Sequence, residues 1–379
     1  NGQWKLAGLL GVATGFIILS FYSVVAGWSL AYTIKAASGD FSAYKTSEIA
    51  GQAFADFSAD HFASILCHGI FMAICIFVVV KGVKSGLERA NKILMPAMVA
   101  ILLMLIARAN TLPGSLDGIK FLWEPDFSKL SWDAILLALG HAFFTLSLGM
   151  GVMITYGSYL PETNNVSKSA LLIAIADTAI ALLAGMCIFP AVFATGGQAT
   201  AGPGLIFVTL PVVFNHMPLG GFFATCFFAF FSFAALTSAI SLLEVVTAYF
   251  IDDKGWSRPW ATVTMGVVIF LLGIPSCLSF GLIGDLTLAG RNFFDWMDYL
   301  SSNIFLPLGG LLLAIFIVWR WGLPNALNEF VKSSCSDYQP IRCGPGTFLY
   351  QAGTVWCFLM KWVVPILLLV IFVAKVLGK

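Results

Sequence analysis

The sequence predicts an all-α polytopic membrane protein, and three observations carry that prediction. Of its 379 residues 59% are hydrophobic and only 10% charged, with a mean hydropathy of +0.92, whereas soluble domains run near roughly 25% charged and about 45–50% apolar. Apolar stretches of membrane-crossing length recur along the whole chain. Most of the charge sits in short polar connectors between them. The net charge of +1 gives no indication of a nucleic-acid partner or an acidic substrate.

A spanning helix needs about 20 mostly apolar residues. Nine segments qualify or come close: 8–34, 61–80, 93–108, 133–160, 168–194, 219–250, 259–277, 293–320 and 354–377. Several exceed the minimum, which implies tilt, kinks or interfacial extensions. Pro96, Pro190, Pro259 and Pro365 fall at or near segment ends or at positions where a kink is expected. Two connectors mix turn residues with large apolar ones and are expected to form structured outer loops, over 109–131 and 195–218. Otherwise the chain reads as one transmembrane domain over 1–379, with no soluble domain, low-complexity tract or legible repeat.

Charge sets the expected orientation in a cell membrane. With the start of the chain in the cytoplasm, Lys5, Lys81, Lys84, Arg89, Lys92, Lys168, Lys254, Arg258, Arg320, Lys332 and Arg342 lie inside. Lys35, Lys45, Arg108, Lys120, Lys129, Arg291, Lys375 and Lys379 lie outside, so the densest basic cluster, "KGVKSGLERANK", is cytoplasmic. Nine crossings then put the C-terminus outside. The chain opens on Asn1 without a signal peptide, so a preceding segment is expected.

Five of the eight cysteines (Cys67, Cys75, Cys187, Cys226, Cys357) fall in apolar runs, where a thiol acts as a small hydrophobe. Cys335 and Cys343 share a polar loop without the companions a zinc site needs.

Ionisable and hydroxyl groups at membrane depth are where function is sought. Asp177 sits in "SALLIAIADTAIALLAGMCIF" with no basic residue in its segment; it is either bonded to hydroxyls or held protonated, or it is a cation or proton ligand. Thr237 and Ser238 follow Ala234 by one turn, so two hydroxyls lie near its carbonyl. That is an oxygen set suited to a hard cation, and equally a small-residue packing surface with hydroxyls bonded back to the helix. Glu244 lies two turns farther on the same face and needs a basic partner. His68 and His141 read as structural histidines. Asp295 and Asp298 share a face at a helix start, either solvated or as an outer gate, and the Tyr22 hydroxyl either packs or faces a cavity.

The stretch "HAFFTLSLGMGVMITYGSYL" (141–160) is long enough to span, yet Thr145, Ser147, Gly149 and Gly151 crowd its middle. Each interior Gly costs a helix about 1 kcal/mol relative to Ala. Two glycines spaced by two do not share a helix face. An interrupted helix at membrane depth is tolerated where its backbone is buried or lines a cavity, and in secondary transporters such breaks offer free carbonyls and N–H groups to ions and substrate.

Together "FFTLSLGMGVMITYGSY", "GVKSGLERANKILMP", "GIKFLWEPDFSKL" and "FAALTSAISLLE" resemble the bacterial branch of the neurotransmitter:sodium symporters, in order and across nearly the whole chain. The match begins at that family's third helix and runs to its eleventh. The resemblance implies an inverted-repeat sodium-symporter fold lacking its first two helices, with about nine spans present, the sixth of the family being 133–160 and broken over Ser147–Gly151. It implies an amino-acid substrate and two sodium ions, each site incomplete without the missing N-terminal helices, so that this chain alone would not transport. Ile18 and Tyr22 match substrate contacts, the tyrosine meeting the carboxylate. Phe144 matches the aromatic lid, and Ser147 lies in the substrate-binding break. Thr145 and Asp177 match ligands of one sodium. The Ala234 carbonyl and the Thr237 and Ser238 hydroxyls match those of the other. Met150, Ser238 and Leu242 match the side-chain pocket, and Asp298 matches an outer-gate acid. Asp177 stands where many members have asparagine, and Ala181 where chloride-independent members have a carboxylate; Asp177 is expected to supply that charge, so chloride is not required. Met150, where others have Phe, implies a pocket for bulky apolar or aromatic amino acids. The other reading is a non-transporting receptor or regulatory relative of the same fold. A channel would need polar groups along a continuous path, and an intramembrane enzyme a His/Asp or Ser/His constellation that is not found.

Overall fold

The structure, a computed structural model, describes residues 2–161, 164–196, 202–335 and 348–376. Arg342, Cys343, Lys379 and the 197–201 part of the Gly-rich connector lie outside the described residues, as do the side chains of Lys84, Lys129, Lys332, Cys335 and Lys375. The helices are α1 (Gly2–Ser38), α2 (Ser47–Ala59), α3 (His61–Val80), α4 (Arg89–Asn110), α5 (Ser115–Trp123), α6 (Trp132–Thr145), α7 (Val152–Ser158) and α8 (Val166–Ala194). They continue as α9 (Leu210–Asn215), α10 (Gly220–Asp252), α11 (Arg258–Leu278), α12 (Phe293–Tyr299), α13 (Leu306–Ile315), α14 (Leu323–Cys335), α15 (Phe348–Phe358) and α16 (Val364–Val376).

Among the described residues eight helical stretches are long and apolar enough to cross a membrane: Trp4–Ser38, His61–Val80, Ser85–Asn110, Val166–Ala194, Gly220–Asp252, Arg258–Leu278, Phe293–Val331 and Tyr350–Ala374. The ninth segment, 133–160, is not one helix. It is divided between α6 and α7, neither of which reaches spanning length alone.

Capping side chains start several helices. Asp60 accepts from the N–H groups of Phe62 and Ala63 at 3.0 and 3.1 Å to open α3. Ser131 accepts from Ala134 at 3.1 Å to open α6, and Asn165 from Lys168 at 2.8 Å to open α8. Each satisfies a donor that helix geometry leaves without a partner. Proline shapes the interiors. Four π-helical turns, Leu205–Thr209, Leu300–Phe305, Phe316–Gly322 and Leu359–Val363, each precede a proline at 211, 307, 324 or 365. In every case the residue four before the proline lies inside the π turn. The proline ring clashes with that residue's carbonyl and brings no N–H to bond it, and the wider turn relieves both problems.

The chain divides into two compact units, each assembled from separate stretches: Phe16–Lys129 with Ile180–Met297, and Asn1–Gly15 with Leu130–Ala179 and Asp298–Lys379. In the first, α10 packs on α3, α4 and α11. An aromatic cluster packs inside it: the fully buried Trp28 meets Phe54, Phe207 and Phe280 edge-on at 5.4, 5.9 and 4.9 Å. The Trp28 indole N–H donates to the Ser64 hydroxyl at 3.1 Å. At Gly27 the α1 and α3 backbones nearly touch; a Cβ there would lie 2.7 Å from the Cys67 carbonyl carbon. His68 is fully buried, with Nε2 3.1 Å from the Phe270 carbonyl and its ring stacked on Phe270 at 4.8 Å. It is a structural histidine, as expected.

Glu244 finds its partner one helix on. Its fully buried carboxylate accepts from both terminal nitrogens of Arg258 at 2.7 and 3.0 Å, a bidentate geometry that compensates desolvation better than a single contact. Removing the guanidinium strands a buried charge. Arg258→Ala is therefore expected to lower unfolding free energy by about 3–5 kcal/mol, measured by thermal and denaturant unfolding in detergent. Glu244→Leu/Arg258→Leu should recover most of the loss, and an unchanged midpoint for Arg258→Ala would refute the assignment.

Candidate functional site

The interruption between α6 and α7 is built residue by residue. Leu148 N–H donates to the Phe143 carbonyl at 2.9 Å and Ser147 N–H to the Phe144 carbonyl at 3.1 Å. Ser147 sits at φ +55°. This is a Schellman stop with serine in the left-handed position that glycine usually fills, at a cost of roughly 1–2 kcal/mol for a residue with a side chain. Gly149 and Gly151 follow at φ +81° each, and Gly151 precedes α7 without a side-chain cap. Among the described residues, the carbonyls of Leu146, Ser147, Leu148 and Gly149 accept no backbone hydrogen bond.

Such bare backbone needs protein around it, and glycines supply the closeness. A Cβ on Gly149 would sit 2.4 Å from the Leu306 carbonyl oxygen of α13, and one on Gly309 would sit 2.5 Å from the Gly149 carbonyl oxygen. A Cβ on Gly310 would lie 2.5 Å from the Phe143 ring, and one on Gly11 of α1 lies 3.2 Å from Gly151 N. Gly11, Gly309 and Gly310 are close-packing positions around the break that were not singled out from the sequence. The signal was present in "PLGGLLLA", a paired glycine inside an apolar segment.

Of the predicted site residues, Phe144, Thr145, Ser147, Met150, Asp177 and Asp298 fall in the unit containing the break, and Ile18, Tyr22, Ala234, Thr237, Ser238 and Leu242 in the other. Phe144, Thr145, Ser147 and Met150 are gathered by the break itself. Thr145 is exposed, Phe144 and Ser147 are half-buried and Met150 is buried. Asp177 is half-buried in α8, with no hydrogen bond or ion pair among the described residues. Asp298 is exposed, and its Oδ1 accepts from the Ser302 hydroxyl at 2.9 Å.

In the other unit the Ser29 and Ser232 hydroxyls hydrogen-bond at 2.8 Å, bringing α1 and α10 together, and Tyr22 lies half-buried on the same α1. The Thr237 hydroxyl donates to the Ala234 carbonyl at 2.9 Å, so these two oxygens already lie side by side. Ser238 is exposed, while Ile18 and Leu242 are buried. No group of three or more His, Cys, Asp or Glu side chains able to hold a metal occurs among the described residues. The donors available to a cation are instead hydroxyl and carbonyl oxygens, with Asp177 the one carboxylate in the predicted sets. Hard cations such as sodium prefer oxygen donors of this kind.

The comparisons with known proteins agree with this architecture. The profile of the sodium:neurotransmitter symporter family matches residues 35–378. An uncharacterized sodium-dependent transporter of Bacillus subtilis (strain 168), YhdH, is 40% identical over 98% of this chain and 80% of its own length. An uncharacterized sodium-dependent transporter of Haemophilus influenzae is 36% identical over 98% of this chain and 79% of its own length. The crystal structure of MhsT in complex with L-phenylalanine superposes with a TM-score of 0.86 at 44% identity, covering 98% of this chain and 81% of that one. The family profile starts at residue 35, so it lends no support to the expectation of two preceding helices. These relatives are transporters and not enzymes, and on their combined match the chain belongs to the sodium:neurotransmitter symporter family.

Proposed function

We propose that the protein is a sodium-coupled symporter of bulky apolar or aromatic amino acids, working by alternating access. The observation that carries this reading is the interrupted helix, whose carbonyls from Leu146 to Gly149 accept no backbone hydrogen bond in the stretch that holds Thr145 and Ser147. In this reading Phe144 covers the substrate, and Tyr22 meets its carboxylate. Ile18, Met150, Ser238 and Leu242 surround its side chain, with Ser147 in the binding break. One sodium uses Thr145 and Asp177. The second uses the Ala234 carbonyl with Thr237 and Ser238. Asp298 serves an outer gate, the connectors at 109–131 and 195–218 face outward, and the chain starts on the cytoplasmic side of the cell membrane. MhsT, similar in structure, holds L-phenylalanine, which supports an aromatic substrate.

Sodium binding at Ala234–Ser238 depends on hydroxyl oxygens that a methyl cannot replace. Thr237→Val and Ser238→Ala should each raise the sodium concentration for half-maximal uptake in proteoliposomes by about 10-fold or more, the worth of one bond to a charged group. Uptake in proteoliposomes that is indifferent to sodium would end the coupling hypothesis.

Asp177 brings a fixed negative charge into its site. Replacing chloride by gluconate should leave uptake unchanged, whereas Asp177→Asn should abolish uptake or make it chloride-dependent. Chloride dependence of the unmodified protein contradicts this role.

Met150 offers a flexible, polarisable wall. Phenylalanine, leucine or tryptophan should compete for uptake at least about 10-fold better than glycine, the discrimination expected from filling an apolar pocket. A preference for glycine or small polar amino acids would refute the substrate class.

A further inference from the structure

A cavity of about 250 Å³ lies behind the break, walled by Ser147, Leu148 and Ile154 on one side and by Trp4, Gly8 and Leu313 on others. All of its walls belong to one compact unit. Trp4 meets Phe316 edge-on at 5.3 Å, and both rings line the space. None of the lining side chains is charged; the polar ones are the Ser147 hydroxyl and the Trp4 indole N–H. Of the predicted substrate contacts only Ser147 borders this space; Ile18, Met150 and Leu242 do not.

The two glycines of α1 that line it differ in what they do. Gly11 is packed against Gly151, where a Cβ would stand 3.2 Å from the backbone nitrogen. Gly8 has nothing within 4 Å of the Cβ it lacks. Close approach of α1 to the break thus explains Gly11, whereas Gly8 is exposed and lies where the pocket opens. An apolar cavity of roughly 150 Å³ already suffices to bind benzene.

We propose that this cavity is a binding site for a neutral aromatic molecule of one or two rings carrying at most one hydrogen-bonding group, and that its occupant holds the break in the conformation described. Apolar walls with two aromatic rings favour a planar apolar body. No charged side chain faces the space, which favours a neutral occupant, and of the proposed substrate contacts only Ser147 borders it. Because one wall is the interrupted helix, an occupant stiffens the segment whose rearrangement transport requires.

The test uses indole as the probe and the purified protein in detergent, without sodium or amino acid, so that it does not depend on the transport reading. Saturating indole should raise the thermal unfolding midpoint by about 2 °C or more, and Gly8→Leu, which fills the space, should remove that shift. Ala7→Leu narrows the same cavity and serves if Gly8→Leu does not fold. No shift in the unmodified protein, or an equal shift in the filled variants, overturns the proposal. In proteoliposome uptake, indole should lower the maximal rate without changing the substrate concentration for half-maximal uptake. Simple competition with substrate overturns the separate site, whereas absence of any uptake counts against the transport reading and leaves the thermal result standing.

Discussion

Everything at the proposed site depends on one constraint: backbone released from a helix in the middle of an apolar segment must be shielded by protein. Between Thr145 and Val152 the chain gives up helical hydrogen bonds, and an unshielded polar group in hydrocarbon costs several kcal/mol. The protein meets the constraint in two steps. A Schellman stop at Ser147 returns the carbonyls of Phe143 and Phe144 to hydrogen-bonded partners. Glycines at 149, 309, 310 and 11 then let neighbouring helices close on what remains.

Other features share this logic of replacing a lost backbone partner by geometry. The four π turns that precede prolines widen the helix where a proline ring would strike a carbonyl. Two of them flank α13, the helix whose glycines cover the break. Its Pro307 directly follows Leu306, whose carbonyl approaches Gly149; the closeness itself is allowed by the missing Cβ of that glycine. In the other unit a different need, burial of the Glu244 carboxylate, is met by a bidentate arginine.

Much of this was legible in the sequence. The eight long helices follow from apolar length alone, and the interruption from Ser147, Gly149 and Gly151 crowding one segment. Local chemistry therefore revealed where the helix stops, because left-handed backbone and a missing Cβ are properties of the residue itself. What shields the stop was not legible. Gly309 and Gly310 lie about 160 residues away, and their importance arises only when α13 comes to rest on the break. Arg258 was visible as a charge but not as the partner of Glu244, because pairing is decided by the turn between α10 and α11. The Thr237 hydroxyl illustrates a third situation: its bond to the Ala234 carbonyl follows from helical spacing, while its use as a cation ligand belongs to chemistry that spacing alone does not choose.

Backbone amide hydrogen exchange across residues 143–156 of the purified protein tests the central claim most directly. An interrupted helix predicts rapid exchange at Gly149–Ile154 beside protected amides in the body of α6, with protection of that segment gained on adding sodium together with phenylalanine. Uniform helical protection from Phe143 to Tyr156 in the absence of ligand would contradict the account.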